Sequence, residues 1–413
     1  MQRIGPRWIS CYEIPAGGGG GGKTPSFTGL RHVADLGVHL KAFCVAWAKT
    51  AVLEPLDWHS PVDLAEAAIV WLSALKPGHD FLVNARSVWC YVEYKRSYLA
   101  ARVAEALAYR MLTTRYGYAL MARFPAWLEC IALHQRYAPS LAMTAAARAH
   151  HVRSRYASRQ PDFVLQDSGG AVALAESKGQ LARLGDSSGG QRRARRAISD
   201  ALKQLAAGRL LLAELNQPVA AEYAVFTLVA EAGRRGGSQV WVCDPPGGDE
   251  RGEHQYYLAE SLRRAVYGHW LQVMGLVAEG RALLEGGTVR GPIRVPVWTV
   301  QDQATQKRFC FVYPPDQEVG EWLPLCRPHR YWCPYRHGPV VPGLERDRLL
   351  TLLRLVSPGF RREGETFPLV PEFPPVQGST EEEGQGLAVT PDGSVMADTD
   401  DLSRHEREVL AFE

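Results

Sequence analysis

Long apolar runs are missing from this sequence. The longest nearly uncharged stretch, Ala67 to Leu75 (AAIVWLSAL), falls well short of the roughly 20 residues that a membrane-crossing helix needs. Met1 to Glu13 lacks the charged-then-apolar layout of a secretory signal. Cysteine is scarce and scattered, eight in 413 residues, which excludes a disulfide framework and agrees with a reducing compartment. An overall excess of one charge is also absent, the net charge being +3. These absences lead us to expect a soluble cytoplasmic protein with no membrane partner.

What charge there is sits unevenly. Residues 151 to 210 hold eleven Lys and Arg against five Asp and Glu, whereas residues 376 to 413 hold two against ten. The basic part suits a phosphate-binding surface. A chain of this length predicts two or three domains.

The most informative stretch is Arg159 to Gln180, RQPDFVLQDSGGAVALAESKGQ. Polar Asp162, Glu176 and Lys178 share one parity, and turn residues lie between two alternating runs, so a β-hairpin is expected. With a loop over Asp167 to Ala171, paired residue numbers sum to 338, which sets Asp162 opposite Glu176. Cross-strand neighbours stand about 5 Å apart. Two carboxylates that close repel unless a proton or a cation intervenes, and a divalent metal at roughly 2.1 Å from each oxygen fits between them. Lys178 lies two residues further along the same face, about 6.6 Å on, within reach of a polarised water or phosphate.

Pro161-Asp162 followed by Glu176-Ser177-Lys178 resembles the PD-(D/E)xK signature of the restriction-endonuclease-like nucleases. The likeness covers about residues 97 to 245. It implies an α/β core of mixed sheet flanked by helices, with Asp162 and Glu176 as Mg²⁺ ligands, Mn²⁺ able to substitute, and Lys178 as the catalytic lysine. It further implies a glutamate on a preceding helix at the metal, for which Glu105 on the helix 97–116 is the candidate and Glu93 or Glu129 the alternates. A glutamine on the following helix is implied too: Gln204, in Lys203-Gln204-Leu205, with Gln191 as the fallback.

Other segments are read from their residues. The run Gly17 to Thr24 matches G-x-x-x-x-G-K-T, but Pro25 to Gly29 is poor helix material and no hydrophobic strand ending in Asp follows, so we read a linker rather than a phosphate loop. Residues 30 to 75, 118 to 137 and 141 to 148 look helical, with breaks at Pro125 and Pro139. Residues 191 to 212 should form a long helix; 222 to 230 and 239 to 243 should be buried strands. Cys326, His329, Cys333 and His337 are suitable zinc ligands by type. Their spacing fits no standard finger, and three neighbouring prolines explain a compact loop without metal.

The expected organisation is an N-terminal helical module with a Gly-rich linker over 1–90, a nuclease core over 91–245, an α+β module over 246–375, and an acidic, largely disordered tail over 376–413. Ser403 to Glu406 reads as a capping box opening a terminal helix. The expected function is metal-dependent hydrolysis of phosphodiesters, DNA before RNA, as effector of a restriction or anti-phage system, working as a homodimer or as a subunit of a larger complex. The alternative is an inactive relative that binds nucleic acid or a partner protein.

Overall fold

A computed structural model describes residues 6–14, 30–51, 70, 74–76, 78–84, 93–133, 160–182, 189–215, 217–234, 237–244, 256–302, 306–312, 340–360, 369–376, 387–398, 402 and 406–412. In chain order the elements are β1 Arg7–Ile14, β2 Arg31–Val38, α1 Leu40–Ala51, α2 Glu93–Thr114, β3 Leu120–Arg123, α3 Phe124–Leu133, β4 Phe163–Gln166, β5 Val172–Ala182, α4 Gly189–Glu214, β6 Ala221–Ala230 and β7 Gln239–Cys243. There follow α5 Tyr256–Val273, α6 Val277–Glu285, β8 Ile293–Gln301, β9 Arg308–Val312, β10 Val340–Glu345, α7 Arg346–Val356, β11 Ala388–Val389, β12 Ser394–Asp398 and β13 Glu406–Phe412.

Among the described residues the first sheet has seven strands in the order β2-β1-β7-β6-β5-β4-β3. It is mixed: β5 runs parallel to β6 and β1 parallel to β7, while the remaining pairs are antiparallel. Helices cover both faces, so this half is an α/β layer structure. Two glycines show which helix lies where. A Cβ on Gly179 of β5 would fall 2.1 Å from the Ala100 carbonyl oxygen of α2, so only glycine lets that backbone come so close. A Cβ on Gly208 of α4 would meet Pro161 at 2.7 Å and Leu174 at 3.0 Å. Residues 174 and 179 differ in parity, hence α2 and α4 lie on opposite faces of β5.

The hairpin β4–β5 has the register its sequence predicts, Phe163 pairing with Ala175 and Gln166 with Val172. Its loop is stapled by the Asp167 carboxylate, whose Oδ1 accepts the Gly169 and Ala171 amides at 2.8 and 2.9 Å.

Among the described residues the second sheet has six strands, all antiparallel, in the order β11-β12-β10-β9-β8-β13. One continuous hydrophobic core runs from β1 and α1 through the first sheet to α5, α6 and α7, so the two halves are packed together rather than strung apart.

Several expectations change. The region 1–90 is not a separate helical module, because β1 and β2 complete the sheet that carries the hairpin. Residues 120–123 are a strand, not helix, and Pro125 breaks nothing: it sits in the first turn of α3, where a missing amide is harmless. The tail 376–413 contributes β11, β12 and β13, with Glu406 to Phe412 extended along β8 instead of helical. Acidic composition misled here because Asp392 is buried and paired, not solvated. The glycine run 17–22, the basic residues from His150 to Arg159 and the quartet Cys326, His329, Cys333 and His337 lie outside the described residues. Among the described residues, no helix is long and apolar enough to cross a membrane.

Candidate active site

Asp162 sits one residue before β4, where the ladder ends and side chains replace backbone partners. Its amide donates to Glu176 Oε2 at 2.8 Å, and its own Oδ2 accepts the Ser177 amide at 2.9 Å. Its carbonyl accepts the Phe124 amide at 2.9 Å, fixing the residue against the start of α3. Lys178 Nζ donates to Glu176 Oε1. Asp162, Glu176 and Lys178 are therefore brought together as their shared parity predicts. The site is recessed: the Glu176 side chain is sealed, while those of Asp162 and Lys178 are 25% and 32% exposed.

Both carboxyls hold their protons more tightly than usual. For Glu176 burial is the main cause and the Asp162 charge adds to it, against the pull of Lys178. For Asp162 burial again dominates; Arg123 opposes it and Glu105 reinforces it. Like charges crowded in a dry place are what a divalent cation relieves. Among the described residues no three or more His, Cys, Asp or Glu side chains gather closely enough to hold a metal. Magnesium does not require that, since it commonly binds through one or two carboxylates and keeps several waters. Asp162 and Glu176 fit that role as hard oxygen donors.

Glu105 is not at the carboxylate pair. Its Oε2 accepts from Arg102 Nη1 at 2.6 Å and from Arg123 Nη2. Arg123 Nη1 in turn stands 3.9 Å from Asp162 Oδ1, so an arginine separates the helix glutamate from the candidate ligand. Both guanidiniums are anchored on the last turn of α1, Arg102 to the Trp47 and Thr50 carbonyls at 3.1 and 2.9 Å, Arg123 to Thr50 at 2.6 Å. They satisfy carbonyls that the end of a helix leaves open. Arg123 also lies over the Phe163 ring at 4.8 Å. Sequence reasoning passed over Arg123. The available signal was a lone cation in the apolar run from Tyr118 to Leu133.

Gln204 points to the same neighbourhood, its Nε2 donating to the Gln160 carbonyl at 3.4 Å, two residues before Asp162. It holds the chain that presents Asp162. The side chains of the alternates Glu93 and Gln191 lie outside the described residues, and Glu129 sits on α3. The chain matches no family model, no curated protein and no solved structure.

Proposed function

We propose that this chain is a metal-dependent nuclease with a restriction-endonuclease-like core, cleaving phosphodiester bonds of DNA. The observation that carries the reading is the convergence of Asp162, Glu176 and Lys178 at one recessed point of the hairpin. The order of α2, hairpin, α4, β6 and β7 agrees with it.

Asp162 and Glu176 would hold Mg²⁺, which supplies an activated water and neutralises charge at phosphorus. Asp162 is kept in place by hydrogen bonds of its own amide and carbonyl and by the Ser177 amide on its carboxylate, which fixes the position of one ligand. Lys178 has a side chain that reaches both Glu176 and solvent, which suits it to hold the attacking water and to face the charge that builds on the phosphate. Gln204 supports the strand entry through Gln160. Arg123 offsets the negative charge of Asp162 and Glu105.

The test is cleavage of supercoiled and linear DNA with Mg²⁺ or Mn²⁺. Wild-type protein should nick or cut, and Lys178→Ala and Glu176→Ala should not. Full activity in either variant refutes the assignment. Metal-independent binding by wild-type protein without any cleavage favours the second reading, an inactive nucleic-acid-binding relative. The ion pair between Lys178 and Glu176 is the observation on its side, because it already compensates the buried glutamate.

A further inference from the structure

Helix α4 passes beside the site, Gln204 and Gly208 lying against Gln160 and Pro161. Arg193, Arg196, Asp200 and Lys203 follow one another at spacings of three, four and three residues, so they share a face, and all four are exposed. Opposite them Ala194, Ile198, Ala201 and Leu205 are buried against the sheet. The exposed stripe runs over eleven residues, ten rises or about 15 Å along the axis.

Two contacts fix its position relative to the carboxylates. Gln204, the neighbour of Lys203, bonds the Gln160 carbonyl. Asp200 lies among Lys203, Arg196 and Lys178, which together hold its carboxyl below the usual range, the Lys203 hydrogen bond contributing most. The face of β5 that carries Lys178 is the one on which α4 packs, since a Cβ on Gly208 would meet Leu174, of the same parity, at 3.0 Å. Further along, Arg209, also exposed, stands 3.5 Å from Glu222.

We infer that this stripe is the track for the sugar-phosphate backbone of a DNA strand whose scissile bond enters at Asp162 and Glu176, with Arg196 contacting a flanking phosphate. What happens at the end of the track rests on the nuclease reading. Phosphate contacts of this kind position the polymer without reading its sequence. Asp200, in the middle of the stripe, opposes the polyanion and keeps the grip weak enough for release.

The experiment measures binding of fluorescein-labelled duplex and single-stranded DNA by anisotropy, in EDTA, over a range of salt. For Arg196→Ala we expect roughly five- to tenfold weaker binding and a salt slope smaller by about one, the signature of one lost phosphate contact. Arg196→Lys should restore the slope, and Asp200→Asn should tighten binding. These residues are exposed, so folding should be unaffected, which circular dichroism verifies. An unchanged affinity and slope in Arg196→Ala overturns the track. So does tighter binding of polyglutamate or of matched RNA than of DNA. Cleavage by Lys178→Ala would instead sink the catalytic assignment and leave the binding result to decide the track separately.

Discussion

Lys49 Nζ donates to Asp392 Oδ2 at 2.6 Å across 343 residues of chain, and both side chains are almost sealed from solvent. The lysine also lies over the Trp270 ring at 4.4 Å. The aspartate further accepts from Thr390 Oγ1 at 2.5 Å and from the Ser394 amide and hydroxyl at 3.2 Å. Burial lowers the proton affinity of Lys49 against the pull of its partner. Burial would raise that of Asp392, but Lys49, the Thr390 hydroxyl and the Ser394 amide outweigh it and hold the acid below the usual range. The pair serves more to fix α1 against the turn between β11 and β12 than to add net stability.

Removing one partner leaves the other buried and uncompensated. Asp392→Ala should therefore cost about 3–5 kcal/mol in urea denaturation, and Lys49→Met with Asp392→Leu should recover much of that loss. Strict additivity of the two single changes would show that the residues are not coupled.

The raised proton affinities of Asp162 and Glu176 set a pH dependence. The folded state binds more protons than the unfolded one, so without metal the stability these groups allow is fully present below the ordinary carboxyl range, about 4. It is lost as pH rises through the raised folded values. Mg²⁺ binds the ionised pair, so the increase in Tm that it produces should grow over the same window. Melts in EDTA and in excess Mg²⁺ from acidic to mildly alkaline pH measure this. A metal effect independent of pH would contradict it.

At mildly alkaline pH, where Glu176 has lost its tightly held proton, Glu176→Gln removes one of two crowded negative charges while keeping the shape of the side chain. We expect a higher Tm in EDTA, by a few degrees, together with loss of cleavage and of the Mg²⁺-dependent rise in Tm. A lower Tm would mean that the ion pair with Lys178 stabilises the fold more than the repulsion from Asp162 weakens it.

Gly179→Ala should be far more damaging than its size suggests. The new methyl would collide with the backbone carbonyl of Ala100, which has no flexible end to move aside. A loss of about 3 kcal/mol or more is expected, above the usual range for overpacking, with cleavage impaired because Lys178 is adjacent. Native-like melting of this variant would show that α2 can shift freely.

Much of the first half was readable because its signals are local. The alternation from Asp162 to Lys178 gave the hairpin, its register and the meeting of three polar groups. The placement of Glu105 was not readable. Whether it meets Asp162 directly or through Arg123 depends on how α2 crosses β5, and that is set by the contact of Gly179 with Ala100, which no periodicity reports. Residues 120 to 123 looked helical because all four are apolar or long and all are buried; an edge strand sealed by α5 has no exposed alternate face to reveal it. The strands β11 to β13 were hidden behind acidic composition for the same reason, since Asp392 and Glu408 are neutralised by Lys49 and Arg346 from distant segments.

The parallel pairing of β1 with β7 carries a consequence for biosynthesis. Ser10 to Ile14 leave the ribosome more than two hundred residues before their partners Gln239 to Cys243, and so must wait unpaired on the side that β7 will occupy. Closing so distant a pair is slow, and the interval exposes an open strand edge to other chains. Yield on expression should accordingly be governed less by final stability than by how well that early strand is shielded during translation.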